Sequence, residues 1–295
     1  MLPPAERFDT QVTDDGARVV IDYNAKMATI EDVLAPTVGS VPNSVETIQS
    51  RVSANKVSWM GPLAVVVGRS VFEILAQAVV AAIFLLNHAP TPWGASVSWW
   101  TVYGTLVDMG CLTLLIYFCS REGIRLRDLF GKIKLRHGYD VFLGAGYFLL
   151  VFPFFAAGAF VASNVVYGST HPYLYPGSLT ERVLPLWAVI YSISLWWIIW
   201  SPTEELTYQG YVLPRLRALS GNWLTAIVIT SFWWALQHSF FPLIPGWDYI
   251  LWRFLAFLPG CVVFTLLYAR TRRLAPLIIA HWGMDLTAAI ITLKF

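Results

Sequence analysis

Charge is what this sequence has least of. Only 13% of its 295 residues are Asp, Glu, Lys or Arg, while 57% are hydrophobic. A water-soluble domain carries about 25% charged residues. The deficit leaves too little polar surface for a water-facing fold. It excludes a disordered chain, a nucleic-acid-binding domain and an ordinary cytosolic enzyme. Cysteine is scarce too. Cys111, Cys119 and Cys261 all sit in apolar stretches, with no CxxC and no Cys/His spacing, which predicts packing thiols and not a disulfide framework. Residues 1–60 have no charged stretch leading into an apolar core, so no signal peptide is expected. HExxH, the usual helical zinc-protease signature, is missing as well. The net charge of +2 favours no class of partner.

What is present points to a membrane. From Pro62 onward the chain reads as apolar stretches of about 20 residues, the length a bilayer needs. They fall near 62–88, 97–119, 141–162, 183–217, 222–242, 248–269 and 274–294. The fourth is too long for one straight crossing and reads either as a kinked helix or as two short ones broken at Ser201-Pro202. The fold expected is an all-α integral membrane protein, a bundle of seven to eight transmembrane helices around an intramembrane polar cavity. Residues 1–60 form a polar, acidic tail with eight acids and five bases. The tail is expected to be partly disordered, with a short strand at Ala17–Tyr23 and a hairpin or helix near Ala28–Leu34. Residues 61–295 form the multispan domain.

Orientation follows from the basic residues. Arg121, Arg125, Arg127, Lys132, Lys134 and Arg136 share one loop, while 163–181 and 243–247 contain no Lys or Arg. The positive-inside rule places the basic loops and the N-terminal tail in the cytoplasm of a multi-pass cell-membrane protein.

Ionisable residues inside spans are expensive and mark function by default. Arg69 and Glu73 stand four apart on one helix face and read as a self-neutralising pair. Asp108 reads either as a helix–helix hydrogen bond or as part of a polar cavity. Arg253, near a span end, is expected to snorkel. His88, His137 and His171 lie at span ends or in loops and carry no functional expectation.

Five others form a pattern. His281 and Asp285 are spaced i,i+4 and project from one face of the last span. His238 lies in the fifth span. Glu204 and Glu205 follow Pro202 in the fourth, and adjacent helical residues diverge by about 100°, so only one can aim squarely at a given centre while the other supports it. Counted from the cytoplasmic ends, Glu204 lies about 20 Å deep, His238 about 22 Å, His281 about 12 Å and Asp285 about 18 Å. These depths are close enough for the side chains to meet. A carboxylate with two imidazoles in a dry cavity suits general acid–base activation of water. The same set could ligate zinc or another divalent metal, or simply lock helices together.

Three motifs pass through these residues: Glu204-Glu205-Leu206-Thr207-Tyr208-Gln209-Gly210, Trp234-Ala235-Leu236-Gln237-His238 and His281-Trp282-Gly283-Met284-Asp285. In order and spacing they resemble the CPBP family of intramembrane proteases, relatives of the CAAX prenyl endopeptidases also called the Abi family. The likeness spans residues 183–294. It departs at Gln209, where the family has Arg, and at Trp234, where it has Phe. The change at 209 removes a cation that orients the glutamates. The change at 234 is conservative for a cavity wall.

The resemblance implies an intramembrane glutamate peptidase acting on an apolar or lipidated peptide. Glu204 would activate water, supported by Glu205 and paired with His238, while His281 and Asp285 stabilise the tetrahedral intermediate. Gln209, Trp234 and Trp282 would line the substrate path. A bound metal is left open. Two other readings stand beside it: a catalytically weak binding or immunity protein, which the missing Arg favours, and an ion- or proton-coupled transporter, which would call for matched halves not seen in this chain. Trp99, Trp100, Trp187, Trp196 and Trp197 are expected in an outer interfacial belt, and Trp233, Trp234 and Trp282 around the cavity.

Overall fold

The computed structural model describes residues 8–12, 18–22, 42–131, 137–168 and 183–293. The chain divides into two units, Met1–Val41 and Pro42–Phe295. In the first, β1 (Phe8–Val12) pairs antiparallel with β2 (Arg18–Asp22), Thr10 opposite Val20. β2 falls on the strand expected at 17–23; the expected element at 28–34 lies outside the described residues. The second unit begins at Pro42 and so takes in the last part of the stretch drawn as a tail.

The second unit is helical. Its elements are α1 (Val45–Ser53), α2 (Met60–Leu86), α3 (Pro92–Val97), α4 (Trp100–Arg121), α5 (His137–Tyr167), α6 (Leu186–Ser220), α7 (Trp223–Gln237), α8 (Trp247–Thr271) and α9 (Leu274–Thr292). Six of these, α2, α4, α5, α6, α8 and α9, are long and apolar enough to cross a membrane. The protein is an all-α multi-pass membrane protein.

The packing of α2 shows why. Leu63, Val67, Val71, Leu75, Val79 and Ile83 recur every four residues and are exposed, while Arg69, Glu73 and Gln77, also four apart, are fully buried. A stripe of apolar side chains outward and polar ones inward is stable only where the surroundings are lipid.

The two expectations that differ most concern α6 and α7. Helix α6 does not split at Ser201-Pro202. It runs on through two π segments, Ser192–Trp196 and Leu206–Val212, on either side of the α-helical stretch Trp197–Glu205. Hydroxyls bracket the proline: Thr203 donates to the Ile199 carbonyl at 2.8 Å, and Ser201 Oγ lies 3.0 Å from the Trp197 carbonyl, with its one proton directed to the closer Asp285 Oδ2 at 2.6 Å. Ser and Thr side chains are a usual way to satisfy backbone groups near a membrane proline. Helix α7 ends at Gln237, not at 242. Its fifteen residues reach about 22 Å, short of the ~30 Å hydrocarbon core.

The non-helical stretch 238–246 that follows keeps its backbone polar groups paired through side chains. Gln77 donates to the Leu243 carbonyl at 3.0 Å and accepts from its amide at 2.7 Å; Trp93 donates to the same carbonyl and Tyr249 to that of Pro242. Arg253 donates to the carbonyls of His238 and Phe241 at 3.0 and 2.8 Å. Arg253 is thus structural, as expected, but its head group is held by these carbonyls, which an irregular backbone leaves in need of donors, and is not simply snorkelling.

Below the spans, Glu122 accepts from Arg51 at 3.0 Å and from Arg215 at 2.9 and 2.7 Å, which ties α1 to the ends of α4 and α6. Burial and then the like charge of Arg215 lower the Arg51 pKa, against the opposing pull of Glu122. The three cysteines are free and buried, as expected of packing thiols. Trp100 and Trp196 are not in a belt. They are buried and meet edge to face at 4.7 Å.

Candidate active site

Glu204 stands at the centre of the buried polar cluster. It is inaccessible, and both its oxygens are taken. Oε1 accepts from Arg69 Nη2 at 2.8 Å and from Gln237 Nε2 at 2.7 Å; Oε2 accepts from Trp234 Nε1 at 2.8 Å. Glu205, next on the helix, faces elsewhere, and its Oε1 lies 3.0 Å from His281 Nδ1. The divergence of adjacent helical residues sets this division: one carboxylate faces α2 and α7, the other α9.

His281 links the two. With Nδ1 on Glu205, its Nε2 faces Glu204 Oε2 at 3.6 Å and Asp285 Oδ2 at 3.7 Å. Its ring packs against those of Trp234 and Phe264, with centroids at 5.8 and 5.6 Å, and those two rings meet each other at 5.5 Å. Asp285 is fixed in turn by Ser201. The i,i+4 pair of α9 thus meets the glutamates of α6, as the depth arithmetic required.

His238 is placed differently. It caps the C-terminus of α7, with Nδ1 2.7 Å from the Trp234 carbonyl and its ring stacked on Phe257 at 3.8 Å. A carbonyl only accepts, so Nδ1 carries the proton and Nε2 is left free. Among the described residues no hydrogen bond joins His238 to Glu204. The expected pairing is therefore not a direct contact, because the helix stops at Gln237 and the glutamine, not the histidine, reaches the carboxylate.

Three further assignments change. Arg69 does lie 3.7 Å from Glu73, but its shortest carboxylate contact is Glu204 at 2.8 Å, and Asp108 is 3.9 Å away. The pair is not closed on itself, since α2 turns its polar face into the bundle where other acids compete. Asp108 accordingly joins a polar cluster. Gln209 is buried and donates to Thr265 on α8 at 3.3 Å. Trp234 is no mere wall, because its indole N–H is a donor that Phe lacks. Trp282 is half-buried and packs edge-on against Trp197 at 5.9 Å. Gln237 and Ser201 escape a reading confined to ionisable residues. An amide or hydroxyl within an apolar helix is the signal that could have found them.

The guanidinium of Arg69 already occupies Glu204 Oε1, which sets a positive charge against the carboxylate a cation would need. Among the described residues no group of three or more His, Cys, Asp or Glu is set to hold a metal ion.

Comparison with known proteins bears on the same region. Residues 185–287 match the family model described as type II CAAX prenyl endopeptidase Rce1-like. No curated protein and no solved structure matches. The matched stretch runs from the start of α6 into α9 and contains all three motifs, so the motif-bearing part of this chain is similar to the CAAX-protease-like family.

Proposed function

We propose that the protein is an intramembrane peptidase of the CAAX-protease type. Its substrate is an apolar, membrane-associated or lipidated peptide, and the nucleophile is a water activated by Glu204. The observation that carries this is the gap between Glu204 Oε2, His281 Nε2 and Asp285 Oδ2. At 3.6 and 3.7 Å the contacts are too long for direct hydrogen bonds, and the three polar atoms converge so that a water lying beside them, not between them, would bond to all three. In this reading the water oxygen attacks the scissile carbonyl while its proton passes to Glu204. Glu205 fixes the His281 ring through Nδ1, so Nε2 is aimed at the reacting centre; it relays the proton taken by Glu204 to the leaving amine as the C–N bond breaks, which returns Glu204 to the carboxylate. Asp285, held by Ser201, borders the tetrahedral intermediate. His238 presents its free Nε2 from the end of α7.

The apolar substrate follows from the setting. The residues sit among membrane-length helices, with the rings of Trp234 and Phe264 packed against His281. The likeness of residues 185–287 to the CAAX prenyl endopeptidase model adds the expectation of a CAAX-like peptide. The cell membrane, with the basic loops inward, is part of the same proposal. The non-catalytic reading rests on the cation lost at Gln209, and Glu204 has another cation in contact.

The test is cleavage of a prenylated CAAX peptide and of an apolar transmembrane peptide by the purified protein in liposomes. Glu204→Gln and His281→Ala are expected to abolish turnover per folded molecule, with the folded fraction measured alongside for each variant. Wild-type turnover in either variant, or no cleavage of either peptide by the wild type, would overturn the proposal.

A further inference from the structure

Residue 69 lies more than a hundred positions before the family-matching stretch, yet its guanidinium touches the central carboxylate. Arg69 is fully buried on α2. It donates through Nη2 to Glu204 Oε1 at 2.8 Å and through Nε to Gln237 Oε1 at 2.6 Å. Gln237 in turn donates through Nε2 to the same Glu204 oxygen at 2.7 Å. The three side chains close a ring, and the ring fixes the glutamine amide: its oxygen must face the guanidinium, which only donates, and its NH2 must face the carboxylate, which only accepts. The guanidinium also lies over the Trp200 ring, 4.3 Å from its centroid, on the same helix segment as Glu204. The cation is thus held from three sides.

Position 209 does not do this work, since Gln209 carries no charge and bonds to Thr265. Arg69 has two other acids near it, Glu73 and Asp108, but at 3.7 and 3.9 Å and without hydrogen bonds to either. The single charge and the hydrogen-bonding geometry go to Glu204. A charge-assisted bond to a buried carboxylate is the strong kind, and such a carboxylate left alone is heavily penalised.

We infer that Arg69 is a positioning residue for the Glu204 carboxylate, supplying from the first long helix the positive charge that the motif itself lacks and setting the Gln237 amide toward the same oxygen. The inference deepens the peptidase proposal and rests on it for the catalytic consequence, but the pairing can be tested without activity.

The test has two arms. The first is a set of double-mutant cycles on thermal unfolding of the purified protein in detergent, pairing Arg69→Gln with Glu204→Gln, Glu73→Gln or Asp108→Asn. The expected result is that Glu204→Gln recovers most of the melting-temperature loss of Arg69→Gln, and that the other two recover less. Equal or larger recovery with Glu73→Gln or Asp108→Asn would overturn the assignment, whether or not the protein cleaves a peptide. The second arm is steady-state cleavage. Arg69→Gln is expected to lower kcat about tenfold or more with little change in KM, and Arg69→Lys to restore part of it. Unchanged kcat in Arg69→Gln, or a loss that appears only in KM, would overturn the positioning role even if the cycles identify the pair. Should Arg69→Gln fail to fold, the first arm reads whether adding Glu204→Gln restores folding where adding Glu73→Gln or Asp108→Asn does not, and Arg69→Lys carries the kinetic arm, since a lysine keeps the charge but cannot bond Gln237 and Glu204 together from one planar group.

Discussion

The hydroxyl of Ser201 lies 2.6 Å from Oδ2 of Asp285. The residue that marked a candidate helix break therefore aims the last acid of the third motif. Both stand near His281, and the serine reaches across from α6 because the helix continues unbroken through Pro202.

Ser201→Ala removes that donor and leaves Asp285 free to rotate. One hydrogen bond of this kind contributes about 1 kcal/mol net. Steady-state cleavage should show kcat reduced several-fold, with a small change in melting temperature. Wild-type kcat would mean that Asp285 is aimed by something else.

Trp234→Phe installs the family's residue and deletes the indole N–H on Glu204 Oε2. A hydrogen bond to a charged acceptor contributes about 1.5–3 kcal/mol. The expected outcome is a kcat lower by about tenfold or more, against the intuition that a return to the family's residue should help. The check is kinetics on the single substitution.

Gly158→Ala tests the contact between α5 and α8. A β-carbon there would lie 2.4 Å from the Ala256 carbonyl oxygen, a backbone atom that cannot rotate away, and across the same seam one on Gly260 would lie 2.3 Å from the Phe155 ring. Overpacking of this kind costs about 1–3 kcal/mol. Thermal unfolding in detergent should register it, with the larger loss at Gly158, where no side-chain rotation gives relief.

Glu122→Gln leaves Arg51 and Arg215 facing each other with no anion between them. Breaking a buried pair costs about 3–5 kcal/mol. The melting temperature should drop accordingly, while kcat measured below the transition should stay near wild type, since this cluster lies apart from the glutamates.

The membrane character of the chain is legible because hydrophobic length is a one-dimensional property. Most expected spans agree with helices to within a few residues. The end of α7 is not legible, because Phe240, Phe241, Leu243 and Ile244 continue the apolar run past Gln237 and hydropathy cannot distinguish a helix from a clamped loop. In the site, the i,i+4 spacing of His281 and Asp285 and the divergence of Glu204 from Glu205 follow from helix geometry alone. The partner of Arg69 does not. Contact across helices leaves no spacing in the sequence, and a nearby acid such as Glu73 is always the easiest guess. The part played by Trp234 is hidden for a related reason: its bulk shows in composition, whereas its one donor matters only once an acceptor is known to be near.

The π segment Leu206–Val212 begins directly after the glutamates. Its winding holds an extra residue per turn relative to an α-helix. Counting four positions on from Glu205 to reach the same face assumes a ruler with even graduations, and here the graduations stretch. Gln209, which a uniform helix would stack beneath Glu205, reaches Thr265 on α8 instead. For relatives of this chain, a residue's role can be carried across 206–212 only when the pitch is known along with the count.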